Sequence, residues 1–539
     1  MYKNTIHTVT ISALSSEGAG IAHLENGLTV FVPCAVTGDT AEVLIIKETK
    51  SYAVAKLLSI KEPSSERTSP PCPIFQKCGG CDLQSLNYDA QLEFKKDKVL
   101  SALQRIGGFE GAAIGSVTGS REIFFYRNKA QFPVAEENGR LVLGFFAPHS
   151  HRVVPTRSCC LIDKRITEIA NFIIDFANEN RVTSFDERTL KGELRKICIR
   201  AGKAEAVVVL VCARHIKAFE KLTEALRLKF PIIKGVVENF NSSPSNTIYS
   251  DKDRILFGTP YITDSIGNIK YKIHYRSFYQ VNPYTTELLY EKVRELCGDC
   301  SDKTVFDLYC GTGTIGLFLA KSVKKLVGVE IVPEAVINAK ENAALNSVSN
   351  AEFYCGAAEK IAPALIKNSY SADIVVLDPP RKGCGEDLLR AIGKMSPEKI
   401  VYVSCDPATM ARDAKKLSEY GYALSESHIF DQFPQTNHVE TVVMLSQLKP
   451  DDVVQVELNA EDLALTSAEA KATYEEIKTY VKRAFGFKVS SLYIAQVKQK
   501  MGLPMGKNYN VSKKGTRVPL CPPEKEEAIL EALRHYKMI

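Results

Sequence analysis

The 539-residue chain contains no uninterrupted apolar stretch close to the ~20 residues that a membrane-crossing helix needs. Its longest apolar runs, such as residues 206–213, read as buried strands. The opening residues, MYKNTIHTVT, lack the basic-then-apolar profile of an export signal, so a cytoplasmic location with no membrane partner is expected. Internal repeats and low-complexity tracts are missing too, which excludes a solenoid or a largely disordered chain. With 45% apolar and 24% charged residues the composition is that of a globular protein, long enough for three or four folding units. There is little excess charge. The net value of +6 comes from 69 basic and 63 acidic residues, and alone implies only tolerance for polyanions. Acidic residues are, however, absent from residues 478–517, where ten Lys or Arg occur.

What the sequence does hold is cysteine. Fifteen thiols without an export signal argue against a disulfide framework and for metal or catalytic use. Isolated, strand-embedded ones such as Cys198 and Cys212 read as small core hydrophobes. Three others crowd together in Cys72-Pro-Ile-Phe-Gln-Lys-Cys78-Gly-Gly-Cys81. Thiolates this close repel unless a cation holds them, and the paired glycines permit the tight backbone that would wrap one. Three ligands close neither a tetrahedral zinc site nor an iron–sulfur cube, so a fourth must come from elsewhere, and Cys159-Cys160 is the nearby candidate pair.

Four regions are expected along the chain. Residues 1–60 alternate apolar and polar positions in short runs (His7-Thr-Val-Thr-Ile11, Leu28-Thr-Val-Phe-Val32, Ala41-Glu-Val-Leu-Ile45) between glycine turns, the pattern of a small antiparallel barrel. A Pro/Ser-rich stretch at 62–71 opens a mixed α+β region, residues 61–270, whose helical segment within 85–118 can pack with the following domain. Residues 271–448 alternate strands and helices as in a doubly wound parallel sheet. Residues 449–539 form a small, mainly helical extension.

Chemistry concentrates in the third region. Val305-Phe-Asp307-Leu-Tyr309-Cys-Gly311-Thr-Gly313-Thr-Ile-Gly316 is a strand ending in a glycine loop that opens a helix, so amide N–H groups can approach a ligand. Glu330 ends the next strand, 19 residues after Gly311, where a carboxylate suits two ribose hydroxyls. These features fit NAD and S-adenosylmethionine (SAM) equally. Asp378-Pro-Pro-Arg-Lys-Gly383, after an apolar strand, favours SAM, because Asp-Pro-Pro at that edge is typical of methyltransferases acting on bases. Cys405 falls between a strand and a helix, where amide dipoles favour a thiolate. Asp406 beside it opposes the anion, so a compensating interaction is required.

Residues 5–446 resemble the RNA uracil-C5 methyltransferases, in particular the 23S ribosomal RNA branch. Phe278-Tyr-Gln280-Val-Asn282-Pro283, the glycine loop, Asp378-Pro-Pro-Arg-Lys-Gly383, Ser404-Cys405-Asp406-Pro407 and His438-Val-Glu440-Thr441 carry the likeness, in that order. The amino-terminal residues resemble a TRAM domain, an OB-like RNA-binding barrel, through Glu17-Gly-Ala-Gly-Ile-Ala22 and Phe31-Val-Pro33 with Gly38-Asp39. The resemblance implies a Rossmann-like α/β domain that binds SAM through Gln280, Tyr309, Glu330 and Asp378. It also implies a nucleophile, Cys405, that adds to uracil C6, and a base, Glu440, that removes the C5 proton. A [4Fe-4S] cluster on Cys72, Cys78, Cys81 and Cys160 follows as well, Cys159 being the adjacent register. A monomer acting on 23S rRNA is expected. Methylation of tRNA is the related alternative, and a non-catalytic RNA-binding protein is disfavoured because Cys405 and Glu440 are both present. The basic extension, with Lys507-Asn-Tyr-Asn-Val-Ser-Lys-Lys514 interleaving tyrosine, is expected to grip RNA phosphates.

Overall fold

The computed structural model describes residues 2–245, 247–368, 370–448, 474–501, 521–536 and 538. Residues 1–449 form one compact unit and residues 450–539 a second. The tyrosine-interleaved run 507–514 lies outside the described residues.

Residues 6–62 make a six-stranded sheet whose alternating positions turn Val30, Val32, Val43 and Ile45 into its core. It is not wholly antiparallel, because Thr29–Val32 runs parallel to Tyr52–Glu62. Asp39 is buried there, and its carboxylate accepts from the Val36 amide and pairs with Arg67 at 2.6 Å. The Pro/Ser-rich stretch is thus tied back to the barrel.

Residues 129–258 contribute a seven-stranded sheet. The strand Ala206–Cys212 is buried at every position because both faces are covered. Val208 and Leu210 meet the helices Lys164–Glu179 and Ala218–Lys229 on one face. Val207, Val209 and Val211 on the other join a core shared with the hairpin 261–274 and with the domain that follows. Cys198 and Cys212 are buried in these cores, as their strand setting suggests.

The third sheet has eight strands, in the spatial order Ala351–Cys355, Val323–Glu330, Cys300–Leu308, Ile374–Leu377, Lys399–Ser404, Glu440–Gln447, Tyr422–Phe430 and Ser116–Thr118. The first five are parallel, and Glu440–Gln447 runs antiparallel to both its neighbours. Chain order reverses on either side of Cys300–Leu308, and such a switch point opens a crevice at the strands' carboxyl ends. The strand Ser116–Thr118 reaches this sheet from well upstream, and the helix before it, Tyr88–Arg105, packs on the helix Pro407–Ser418. Among the described residues no helix is long and apolar enough to cross a membrane.

Candidate active site

The glycine loop is shaped by backbone need. Tyr309, Gly311 and Gly313 all have positive φ (67°, 55° and 78°), and Gly313 caps the short helix Thr314–Leu319. A Cβ on Gly316 would stand 2.7 Å from the Asp307 carboxylate, which instead accepts the Gly316 amide at 2.8 Å. Glu330 accepts from the Gly311 amide at 3.0 Å and the Val332 amide at 2.9 Å, so it braces the loop that it faces.

Pro379 and Pro380 follow the strand Ile374–Leu377 and hold Asp378 at its end. Gly383 closes the turn with φ 75°, its amide donating to the Pro380 carbonyl, and a Cβ there would strike Arg412 and Asp413 at 2.5 Å. Asn282 caps the helix Pro283–Cys297, leaving Gln280 just before it with its side-chain oxygen on Gln432 at 3.1 Å.

Strand register brings the expected nucleophile and base together. Ser404 pairs with Thr441 across antiparallel strands, so Cys405 and Glu440 are next to each other at the same end of the sheet. Gln280, Tyr309, Glu330, Asp378, Cys405 and Glu440, separated by up to 160 positions in sequence, all line one cavity of about 680 Å³.

Its electrostatics differ from the expectation in one respect. Asp406 turns its carboxylate onto the Ala408 and Thr409 amides, both at 3.0 Å, and serves as the helix cap. The pressure against a Cys405 thiolate comes instead from burial, then from Glu440 and Asp378, which together push the thiol up to about 12. Arg381 opposes them through its charge and a hydrogen bond to the sulfur. The compensating interaction that the sequence required is therefore the arginine of the Asp-Pro-Pro-Arg motif. Burial also pushes Asp378 up to about 7, and Asp307 up to about 7 with help from the charges of Asp378 and Glu330. Glu440 is held well above the usual carboxylate range by burial and by Asp378. A cavity with three carboxyl groups so disposed favours a guest carrying positive charge.

Cys405 also faces a second hollow of about 420 Å³, walled by Lys98, Arg105 and Arg381 and by Ser16 and Glu17 of the barrel. His438 closes this side, held neutral by burial and the surrounding cations, its ring nitrogen 3.4 Å from Arg381. None of these basic residues had been assigned a role from sequence. Arg381 lay inside a motif, whereas Lys98 and Arg105 belong to a helix without a catalytic signature.

The segment 431–439 assembles this mouth from distant parts of the chain. Lys95 and Asp431 form a fully buried pair at 2.6 Å. Asp82 and Leu83 donate their amides to the Gln435 carbonyl, and the Asn437 side chain donates to the Glu17 carbonyl at 3.2 Å.

The clustered thiols line a third cavity, of about 460 Å³, which shares Arg127, Phe278 and Val281 with the catalytic one. Cys72, Cys78, Cys81, Cys159 and Cys160 all reach it. Among the described residues no three His, Cys, Asp or Glu form a group suited to a single metal ion. Burial raises the thiols of Cys78, Cys81, Cys159 and Cys160, and the other sulfurs raise them further. Cys159 faces Cys72, Cys78 and Cys81, whereas Cys160 hydrogen-bonds with Cys72. Gln84 donates to the Cys81 sulfur at 3.1 Å.

Comparison with known proteins decides the family. Residues 87–448 match the model of the tRNA (uracil-5-)-methyltransferase family, and residues 1–58 match that of the TRAM domain. The chain belongs to the tRNA (uracil-5-)-methyltransferase family. It is 42% identical over 447 residues to an uncharacterized RNA methyltransferase of Clostridium tetani, a match covering 82% of this chain and 97% of that one. It is 41% identical over 446 residues to another from Halalkalibacterium halodurans, with the same coverage. Among solved structures it resembles a Pyrococcus abyssi tRNA (uracil-54, C5)-methyltransferase in complex with S-adenosyl-L-homocysteine. That likeness has TM-score 0.65 and 29% identity over 81% of this chain and all of the other. The protein is thus a SAM-dependent RNA methyltransferase of the uracil-5 family, with an amino-terminal TRAM domain.

Proposed function

We propose that this protein makes 5-methyluridine in 23S rRNA, with Cys405 as nucleophile and Glu440 as base. The observation that carries the reading is the pairing of these two side chains by strand register, between a carboxylate-rich cavity and a basic mouth. Uracil C5 is a poor nucleophile. A thiolate adding at C6 pushes electron density through the C4 carbonyl and turns C5 into an enolate carbon. Arg381, hydrogen-bonded to the sulfur, stabilises the thiolate before attack. SAM, held by Gln280, Tyr309, Glu330 and Asp378, supplies an electrophilic methyl group. The unpartnered buried oxygens of Asp307 and Thr312 at the same wall suit a polar, cationic guest. Positive charge beside Asp378 and Glu440 draws both toward carboxylates, the form in which Glu440 accepts the C5 proton. As the C5–H bond breaks, the C6–S bond breaks with it and Cys405 leaves as thiolate. The target base must leave its stack to reach Cys405, and Lys98 and Arg105 are placed to meet its phosphates.

Cys72, Cys78 and Cys81 with Cys160 would hold a [4Fe-4S] cluster, Cys159 standing alongside. The convergence of thiols on one cavity supports this, and the methylation needs no redox step, so the cluster's part is to fix the loops that share Arg127 and Phe278 with the catalytic cavity. The rRNA assignment rests on the resemblance of the ordered motifs, barrel and clustered thiols to the 23S rRNA branch, although some tRNA enzymes also carry a barrel and a cluster. The second reading, tRNA, is favoured by the likeness to the archaeal tRNA enzyme. Mass spectrometry of 23S rRNA and of tRNA from a strain lacking the protein separates them. Loss of 5-methyluridine from 23S rRNA is expected, and loss from tRNA alone overturns the rRNA assignment.

A further inference from the structure

The carboxyl-terminal unit has no place in the mechanism above. The family model ends at residue 448 and the curated relatives match about 82% of this chain, so the unit is an addition to the family's catalytic body. It has its own core. Ile477 and Val481 of the helix Tyr474–Phe485 pack with Ile494 and Val497 of Ser491–Lys500, and with Ile529 and Leu533 of Pro523–His535.

Its charge is segregated. Glu524, Glu526, Glu527 and Glu531 belong to the last helix, where Glu526 pairs with Lys500. The last turn of the first helix and the residues just after it carry the opposite character, Lys482-Arg483-Ala484-Phe485-Gly486-Phe487-Lys488. Gly486, with φ 77°, ends the helix and its amide donates to the Lys482 carbonyl at 3.1 Å. Lys482, Arg483 and Lys488 are exposed, and among the described residues none pairs with a carboxylate. Phe485 is 42% exposed, and its ring lies 6.2 Å from that of Phe487, tilted by 39°. An exposed phenylalanine, Phe485, beside the half-buried Phe487 and among cations unpaired within the described residues matches what unpaired nucleic acid needs: a π-face for a base and positive charge for the flanking phosphates. A cationic helix end that merely balances the helix dipole does not require two aromatic rings beside it.

We propose that the segment 482–488 docks a single-stranded part of the substrate RNA, Phe485 stacking a base and Lys482, Arg483 and Lys488 meeting the flanking phosphates. The inference rests on RNA being the substrate, and it fails separately from the catalytic reading. The test uses the full-length protein with single-stranded polyadenylate, which offers no uracil to Cys405, and duplex RNA as comparison, across a salt series. Replacing Lys482, Arg483 and Lys488 together by Ala is expected to weaken polyadenylate binding and to flatten the salt dependence by about two in the logarithmic slope. Phe485→Ala is expected to weaken it about five- to hundredfold with the slope unchanged, and to spare duplex binding. Methyl transfer to a short stem–loop substrate stays at the parent rate in both variants. Unchanged affinity and slope in both overturns the proposal. So does a loss confined to the charge variant and equal on duplex RNA, which would mark unspecific attraction.

Discussion

The catalytic cavity and the thiol cavity share Arg127, Phe278 and Val281, yet they are built from different material. The first takes its groups from the carboxyl ends of packed strands, with Asp307 and Glu440 almost wholly buried, Asp378 half-buried, and all three pushed toward the protonated form. The second takes its groups from loops, residues 72–81 and 159–160, whose thiols oppose one another's ionisation. The strand ends are fixed by hydrogen-bonded register before any guest binds. The loops are held by scattered backbone hydrogen bonds instead, Gly79 donating to Phe146 and Phe125 to Cys160, and a shared guest would add to that cohesion. The strand-end site is thus held by a continuous ladder, and the thiol site by isolated backbone hydrogen bonds.

Four measurements sharpen or break that contrast. The largest effect is expected on the rigid side. Glu440→Gln removes the base without disturbing the strand, so steady-state turnover should fall about 10²- to 10⁴-fold while a single methyl transfer still occurs and the RNA stays attached. Rapid-quench kinetics read both, and normal turnover would remove Glu440 from its role. Next comes Arg381→Met. The Cys405 thiol is held up to about 12 by burial, Glu440 and Asp378, with Arg381 as its counterweight, so thiolate and rate rise together as pH rises toward that value. Losing the cation should raise the thiol further, slowing methylation roughly tenfold at pH 8 and by less as the pH is raised. Arg381→Lys should keep most of the rate, because charge rather than fork geometry faces the sulfur. A profile that does not move would leave Arg381 without this function.

On the loop side the effects are smaller and spectroscopic. Cys160→Ser should lose the cluster's visible absorbance and its iron, whereas Cys159→Ser should retain them. The reverse result would move the fourth ligand to Cys159, which faces three other thiols. Neither substitution touches Cys405 or Glu440.

Legibility in the sequence followed the same division. The α/β character of residues 271–448 was plain because strand, glycine loop and helix recur there with short connections, and the barrel was plain from period-two alternation. Gln280, Asp378, Cys405 and Glu440 could be picked out because each sits in a short motif at a strand or helix end. What the motifs could not convey was orientation. Asp406 appeared to threaten the thiolate, yet its side chain serves the helix cap, while Glu440 and Asp378, remote in sequence, exert the pressure. The mouth was equally hidden, since Lys98 and Arg105 read as ordinary helix surface. The packing of their helix on Pro407–Ser418, with the segment 431–439 fixed by Lys95, Asp82 and Glu17, brings them to Cys405. The parallel pairing of Thr29–Val32 with Tyr52–Glu62 could not be read either, because alternation reveals faces but not strand direction.

The central claim is that Cys405 bonds to the uracil ring before the methyl group moves. Incubating the protein with SAM and RNA containing 5-fluorouridine, whose C5 has no proton for Glu440 to take, tests it most directly. The account predicts a stable protein–RNA adduct that carries the methyl group and maps to Cys405, and that is lost in Cys405→Ser together with methylation of ordinary RNA. A Cys405→Ser protein that methylates uridine at the parent rate, or an adduct mapping to another residue, contradicts it.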